Sequence, residues 1–243
     1  NNGAVALINK IIVLAQPTVI LVSYDGFRLG LREESSYSKF EFYRKYSNGI
    51  KAKHLLNTFV TKRFPNHFTL VTGLYEESHG IAANTFFDPV FNDTFYLDAV
   101  SKHYGAPVWI TNQKAFKKSA VVFWPGSEVK IEGQHPTHYL PYDRSLSFEK
   151  RIDYLCTMLE LDDPPSFLAA YFNEPGHSGH KFGPNSPEIK FVNINRKSVT
   201  GYLLESLRNR GLLSVNLIIT SDHGMVDVNN SHLIQLDYYI PSD

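Results

Sequence analysis

Three segments of the chain are apolar on both faces: "TVILVS" at 18–23, "SFLAAYF" at 166–172 and "VNLIITS" at 215–221. Short β-branched and aromatic runs without a polar face predict strands buried inside a parallel sheet. Between them the period changes. "SFEKRIDYLCTML" (147–159) opens on a serine N-cap and carries apolar residues at helical spacing. "SVTGYLLESLRNRG" (198–211) does the same and ends at Gly211, a residue suited to close a helix. "NHFTLVTG" (66–73) predicts a short helix opened by Pro65 and closed by Gly73. Smaller strand-like pieces lie at 55–60, 107–110 and 120–124. Residues 85–145, rich in Pro, Gly, Tyr and Phe, read as a loop-rich insertion over one edge. Alternating strands and helices predict an α/β fold with a mostly parallel sheet flanked by helices. No repeat or linker divides the chain, so residues 1–243 read as a single domain.

Composition narrows the function classes. The 243 residues are 43% hydrophobic, enough for one sizeable core. Lys plus Arg and Asp plus Glu both count 24, which removes an electrostatic case for nucleic acid or a membrane surface. The apolar runs are too short to cross a bilayer, and no signal-peptide pattern opens the chain. The single Cys156 leans toward a reducing compartment, whereas sequons at Asn92 and Asn229 lean toward an extracellular one. Composition leaves the compartment open.

The chemistry gathers where the strands end. "VILVS" runs into Asp25, "LAAYF" into "NEPGHSGH" with His180, and "LIITS" into Asp222 and His223. Parallel sheets bind ligands beyond the carboxyl ends of their strands. Carboxylate and imidazole are metal ligands, so these four residues are expected to meet at one edge and hold an ion. His54, His67, His79, His103, His135, His138 and His232 read as structural or exposed.

"SYDGFR", "TKRFPNHFTLVTGLYEESHGI", "WPGSEVKI", "PYDRSLSFEKR", "NEPGHSGHKFGP" and "LIITSDHGM" together resemble the ecto-nucleotide pyrophosphatase/phosphodiesterase family, and within it the shorter, membrane-anchored members. The resemblance implies an alkaline-phosphatase-like fold, two zinc ions and an extracellular or cell-surface location. The ligand would be a nucleotide or other phosphodiester, and any membrane anchor would lie outside this chain. It also implies that 1–243 is a phosphodiesterase-like catalytic domain truncated at its C-terminus. Asp25, Asp222 and His223 fall on ligands of one Zn2+ and His180 on a ligand of the other. Asn84 falls on the amide that holds a phosphoryl oxygen. Phe64 and Tyr142 fall on aromatics that sandwich the base, and Trp124 and Tyr171 on further lining positions.

Two positions depart from the family pattern. Arg63 stands where a threonine nucleophile belongs, and a guanidinium carries no usable nucleophile. Gly176 stands where a zinc-binding aspartate belongs. The chain therefore reads as a catalytically degenerate member. The alternative is an active zinc-dependent phosphodiesterase with a non-standard nucleophile, for which Thr61 is the candidate, and His177 could replace the lost aspartate. Arg63 is expected to fill or cap the vacant metal position and to pair with Asp25, Asp222 or both.

Overall fold

The computed structural model describes residues 17–28, 49–96, 105–229, 231, 233–235 and 238–240, with the backbone alone for 190–198. His103 and His232 lie outside the described residues. In chain order the strands are β1 (Val19–Tyr24), β2 (Phe86–Asp88), β3 (Asp93–Phe95), β4 (Ser119–Val122), β5 (His138–Leu140), β6 (Phe167–Phe172) and β7 (Asn216–Ser221). The helices are α1 (Arg63–Thr72), α2 (Glu76–His79), α3 (Val108–Lys114), α4 (Phe148–Leu159), α5 (Gly176–Phe182) and α6 (Pro187–Asn209).

Five strands form one parallel sheet in the order β5-β4-β6-β1-β7, and β2 and β3 form a separate antiparallel hairpin. The α/β architecture expected from the alternating pattern is therefore present. All six residues of β6 are buried, as its unbroken apolar run requires. On one side, α4 buries Ile152, Leu155 and Leu159, and α6 buries Val199, Leu203 and Leu207. Each trio recurs at helical spacing, and the two helices pack against each other. Each such buried side chain contributes about 1.5–3 kcal/mol relative to exposure. Ser147 caps α4 as expected, its hydroxyl accepting from the Lys150 N–H.

Several expectations need correction. The stretch 85–145 is not a cover over the sheet: it supplies the β2–β3 hairpin, α3, and the strands β4 and β5 of the sheet itself. Residues 107–110 begin a helix, because Pro107 seats at its N-cap and Trp109 and Ile110 bury on one face. Residues 55–60 form no strand, and Leu55, Leu56 and Phe59 are exposed. β4 stops at Val122, where Phe123 turns the chain at φ 60. The helix expected from 66 begins three residues earlier, at Arg63, and 198–211 is the last part of the longer α6. Finally, β7 is not buried on both faces: Ile218 is 51% exposed, because β7 is the last strand of the described sheet.

Candidate functional site

Register places the two aspartates together. Tyr24 at the end of β1 pairs with Phe172 of β6 on one side and Ser221 of β7 on the other. One residue further on, Asp25 and Asp222 leave neighbouring strands side by side at the carboxyl edge. The Asp25 N–H still donates to the Phe172 carbonyl (2.9 Å), which fixes where its side chain starts. Gly26, at φ 65, turns the chain so that its N–H donates to Asp222 Oδ1 (3.0 Å). The His223 N–H donates to the same oxygen (2.9 Å).

That leaves Asp222 Oδ2, which is buried without a hydrogen-bond partner. It faces His223 Nε2 at 3.2 Å and His67 Nδ1 at 3.3 Å. His223 Nδ1 lies 2.8 Å from the Gly224 carbonyl, which can only accept, so Nδ1 carries the proton. In the neutral ring Nε2 then presents a lone pair toward Asp222 Oδ2 and, at 4.0 Å, toward Asp25 Oδ1. Asp25, Asp222 and His223 bring one ligand atom each within 4.8 Å of one another. Burial, and for Asp25 the neighbouring Asp222 charge, raise both carboxyls above their ordinary range, although His223 and the backbone donors draw Asp222 down. Three electron-rich atoms, one of them the unpartnered Asp222 Oδ2, lie close enough together to fit a divalent cation.

His67 joins this cluster from α1. Its Nδ1 donates to the Arg63 carbonyl (2.8 Å), so its Nε2 accepts from the Ser23 hydroxyl (2.9 Å). Complete burial pushes the imidazole down to about 4, with Asp25 opposing that shift. Trp124 and Tyr171 stand edge-on to the ring, each with centroids 5.0 Å away. Sequence reading left His67 among the structural histidines. Its spacing from Arg63, one helical turn, is the signal that could have placed both at the same edge.

Residues 19–243 match the family model described as type I phosphodiesterase / nucleotide pyrophosphatase. The chain is 42% identical to human ectonucleotide pyrophosphatase/phosphodiesterase family member 5, over 94% of this chain and 49% of that protein. It is 39% identical to the bis(5'-adenosyl)-triphosphatase enpp4 of Xenopus laevis, over 91% of this chain and 50% of that one. A solved structure of murine ectonucleotide pyrophosphatase/phosphodiesterase 5 superposes with a TM-score of 0.87 at 40% identity, covering 93% of this chain and 62% of the other. The chain belongs to the type I phosphodiesterase/nucleotide pyrophosphatase family. It spans about half the length of the curated relatives just named.

Within this phosphodiesterase family member, Arg63 takes the first position of α1 and is half-buried. The Asn84 side-chain oxygen accepts from the Phe64 N–H (2.9 Å), satisfying an amide that α1 leaves free at its start. The expected direct pairing of Arg63 with the aspartates is corrected. Among the described residues Arg63 forms no ion pair with either; its Nη1 donates to the Tyr171 hydroxyl at 3.4 Å, and that hydroxyl donates to Asp25 Oδ2 at 2.6 Å. The phenol sits between the two charges and separates them. Burial works against the guanidinium charge, but the Tyr171 oxygen and Asp25 outweigh it and raise Arg63 above its ordinary value.

The other candidates divide by burial. His180 is exposed on α5, outside the Asp25–Asp222–His223 group, and His177 is exposed beside it. Gly176 opens α5 with its N–H on the Asp25 carbonyl (3.0 Å). A Cβ there would overlap Asp25 Oδ1 and sit 2.7 Å from its Cγ. Phe64, Trp124 and Tyr171 are buried: Phe64 stands edge-on to Phe95, and Trp124 Nε1 donates to the His67 carbonyl (3.2 Å). Tyr142 is 42% exposed, supported edge-on by Phe123. Thr61 is exposed, its hydroxyl accepting from Asn57 (3.2 Å).

Proposed function

We propose that this chain is a catalytically degenerate phosphodiesterase domain that binds a nucleotide or related phosphodiester without hydrolysing it. One observation carries the reading: the side chain at the head of α1 is a guanidinium held on Tyr171, where the family pattern calls for a nucleophilic hydroxyl. Exposed Thr61, bonded to Asn57, is a poor substitute, since a misplacement of about 1 Å can cost roughly a hundredfold in rate.

The residues left at the edge suit binding. Asp25, Asp222 and His223 would hold a Zn2+ ion, which when bound polarises a phosphoryl oxygen as a Lewis acid. Arg63 would offer its donors to an anionic phosphoryl group. Tyr142 has an exposed face on which any nucleobase can stack. A murine relative in an inactive threonine-to-alanine form is held with AMP, which supports ligand binding surviving the loss of turnover. The ecto- prefix of the relatives supports an extracellular or cell-surface location, as does the exposure of the sequon residues Asn92 and Asn229.

The test pairs two measurements on the full-length protein carrying this chain. Calorimetry with AMP in the presence of Zn2+ is expected to show binding. Hydrolysis of a nitrophenyl nucleotide ester is expected to stay at background. Chelator-sensitive turnover that disappears in Thr61→Ala would replace this reading with that of an active enzyme.

A further inference from the structure

We propose that the cluster holds one divalent cation rather than two, and that the chain's own Arg63 is the second positive charge of the site, coupled to the ligand Asp25 through the Tyr171 hydroxyl. The inference rests on the reading of Asp25, Asp222 and His223 as metal ligands. It goes further by assigning the number of ions and the roles of Arg63 and Tyr171.

The donor atoms limit the count. Among the described residues only three ligand atoms converge, and they surround a single locus beside Asp222 Oδ2. His67 is next to that oxygen but commits both ring nitrogens, one to the Arg63 carbonyl and one to Ser23. His180 is exposed and stands outside the group. At Gly176 there is no side chain, and the Asp25 carboxylate occupies the space in which one would begin. Among the described residues a second ion finds no further set of three or four ligands, which a stable zinc site requires.

Charge points the same way. One divalent ion already balances the two carboxylates, and Arg63 adds a further positive charge from the α1 side. The bonds that connect them run in one direction. The Tyr171 hydroxyl has one proton and spends it on Asp25 Oδ2 at 2.6 Å, so Arg63 Nη1 donates to the phenol oxygen. Such a chain polarises each bond toward the carboxylate. It also ties Oδ2 down and leaves Oδ1 facing His223 Nε2. Tyr171 is thereby a positioning residue for a metal ligand, and Arg63 a resident cation that stands in place of a second ion.

These two roles predict opposite effects on one measurement. The full-length protein is stripped with a chelator and titrated with Zn2+ alone, by calorimetry and equilibrium dialysis. The wild type is expected to take one ion per chain. Tyr171→Phe frees Asp25 and is expected to weaken Zn2+ binding about tenfold, the scale of losing an outer-shell partner. Arg63→Gln removes a like charge and is expected to tighten it about fivefold. Arg63→Lys keeps the charge and is expected to stay within about twofold of wild type, which separates charge from local folding damage. Two ions per chain at comparable affinity, or Tyr171→Phe and Arg63→Gln shifting affinity in the same direction or not at all, would overturn the proposal. Ester hydrolysis by the wild type would instead remove the proposed function, leaving the ion count and the opposite shifts as they stand.

Discussion

The carboxylate of Asp25 fills the space in which a side chain at Gly176 would begin, and the Gly176 N–H closes on the Asp25 carbonyl at 3.0 Å. The two residues are thus packed as one unit at the junction of β1 and α5. Gly176→Ala must displace either the carboxylate or the first turn of α5. We expect a loss of about 1–3 kcal/mol in denaturant unfolding of the chelated protein, the usual cost of overpacking. In an Asp25→Ala background the obstructing oxygen is gone, so the same change should cost much less. Equal costs in both backgrounds would show that the two positions are not coupled.

His67 sets an acid limit on the metal-free fold. Its imidazole titrates near 4 when folded against an ordinary value of 6.5, chiefly because it is fully buried. A base with a depressed folded value contributes stability that is complete above the unfolded value and declines as pH falls toward the folded one. The wild type should therefore lose on the order of 3 kcal/mol between pH 6.5 and 4 through this group. Thermal unfolding across that range in chelator, compared with His67→Gln, checks it. A parallel slope in the variant would assign the acid loss to other groups.

Arg151 is a buried cation held by rings. Its guanidinium lies 4.5 Å from the Phe123 centroid and 4.8 Å from that of Phe148, and its Nε donates to the Leu146 carbonyl (3.1 Å). Arg151→Ala removes both the stem and the cation–π contacts and should cost about 2–4 kcal/mol. Arg151→Met keeps most of the volume and removes a charge that burial disfavours, so it should cost clearly less. Equilibrium unfolding of both variants decides the order.

Tyr142 gives the clearest handle on ligand binding. Its exposed ring rests edge-on against Phe123 at 5.4 Å, outside the cluster of metal-type ligands. If a nucleobase stacks there, Tyr142→Ala should weaken AMP binding by about 1–3 kcal/mol, while Tyr142→Phe keeps it. Zn2+ affinity should not change in either. Calorimetry with AMP and with Zn2+ separately distinguishes a stacking role from general damage.

Much of the architecture was readable in local pattern. The unbroken apolar runs of β1 and β6 announced buried parallel strands, Ser147 the start of α4, and Gly73 the end of α1, because each depends on nearby residues. The placing of Asp25, Asp222 and His223 at strand ends was equally visible, since position relative to a strand is a sequence property. The tertiary structure alone decided three things. It set the strand order, which left β7 half-exposed as the last strand of the described sheet despite its apolar sequence, and it drew β4 and β5 of the segment 85–145 into that sheet. It brought His67, remote in sequence from both aspartates, to within 3.3 Å of Asp222. And it put Tyr171 between Arg63 and Asp25, so that a pairing reasonable on charge alone became a relay through a phenol. The physical reason is the same in each case. Periodicity and capping report forces that act within a few residues, whereas the partner of a buried polar atom is chosen by the register of strands distant in sequence.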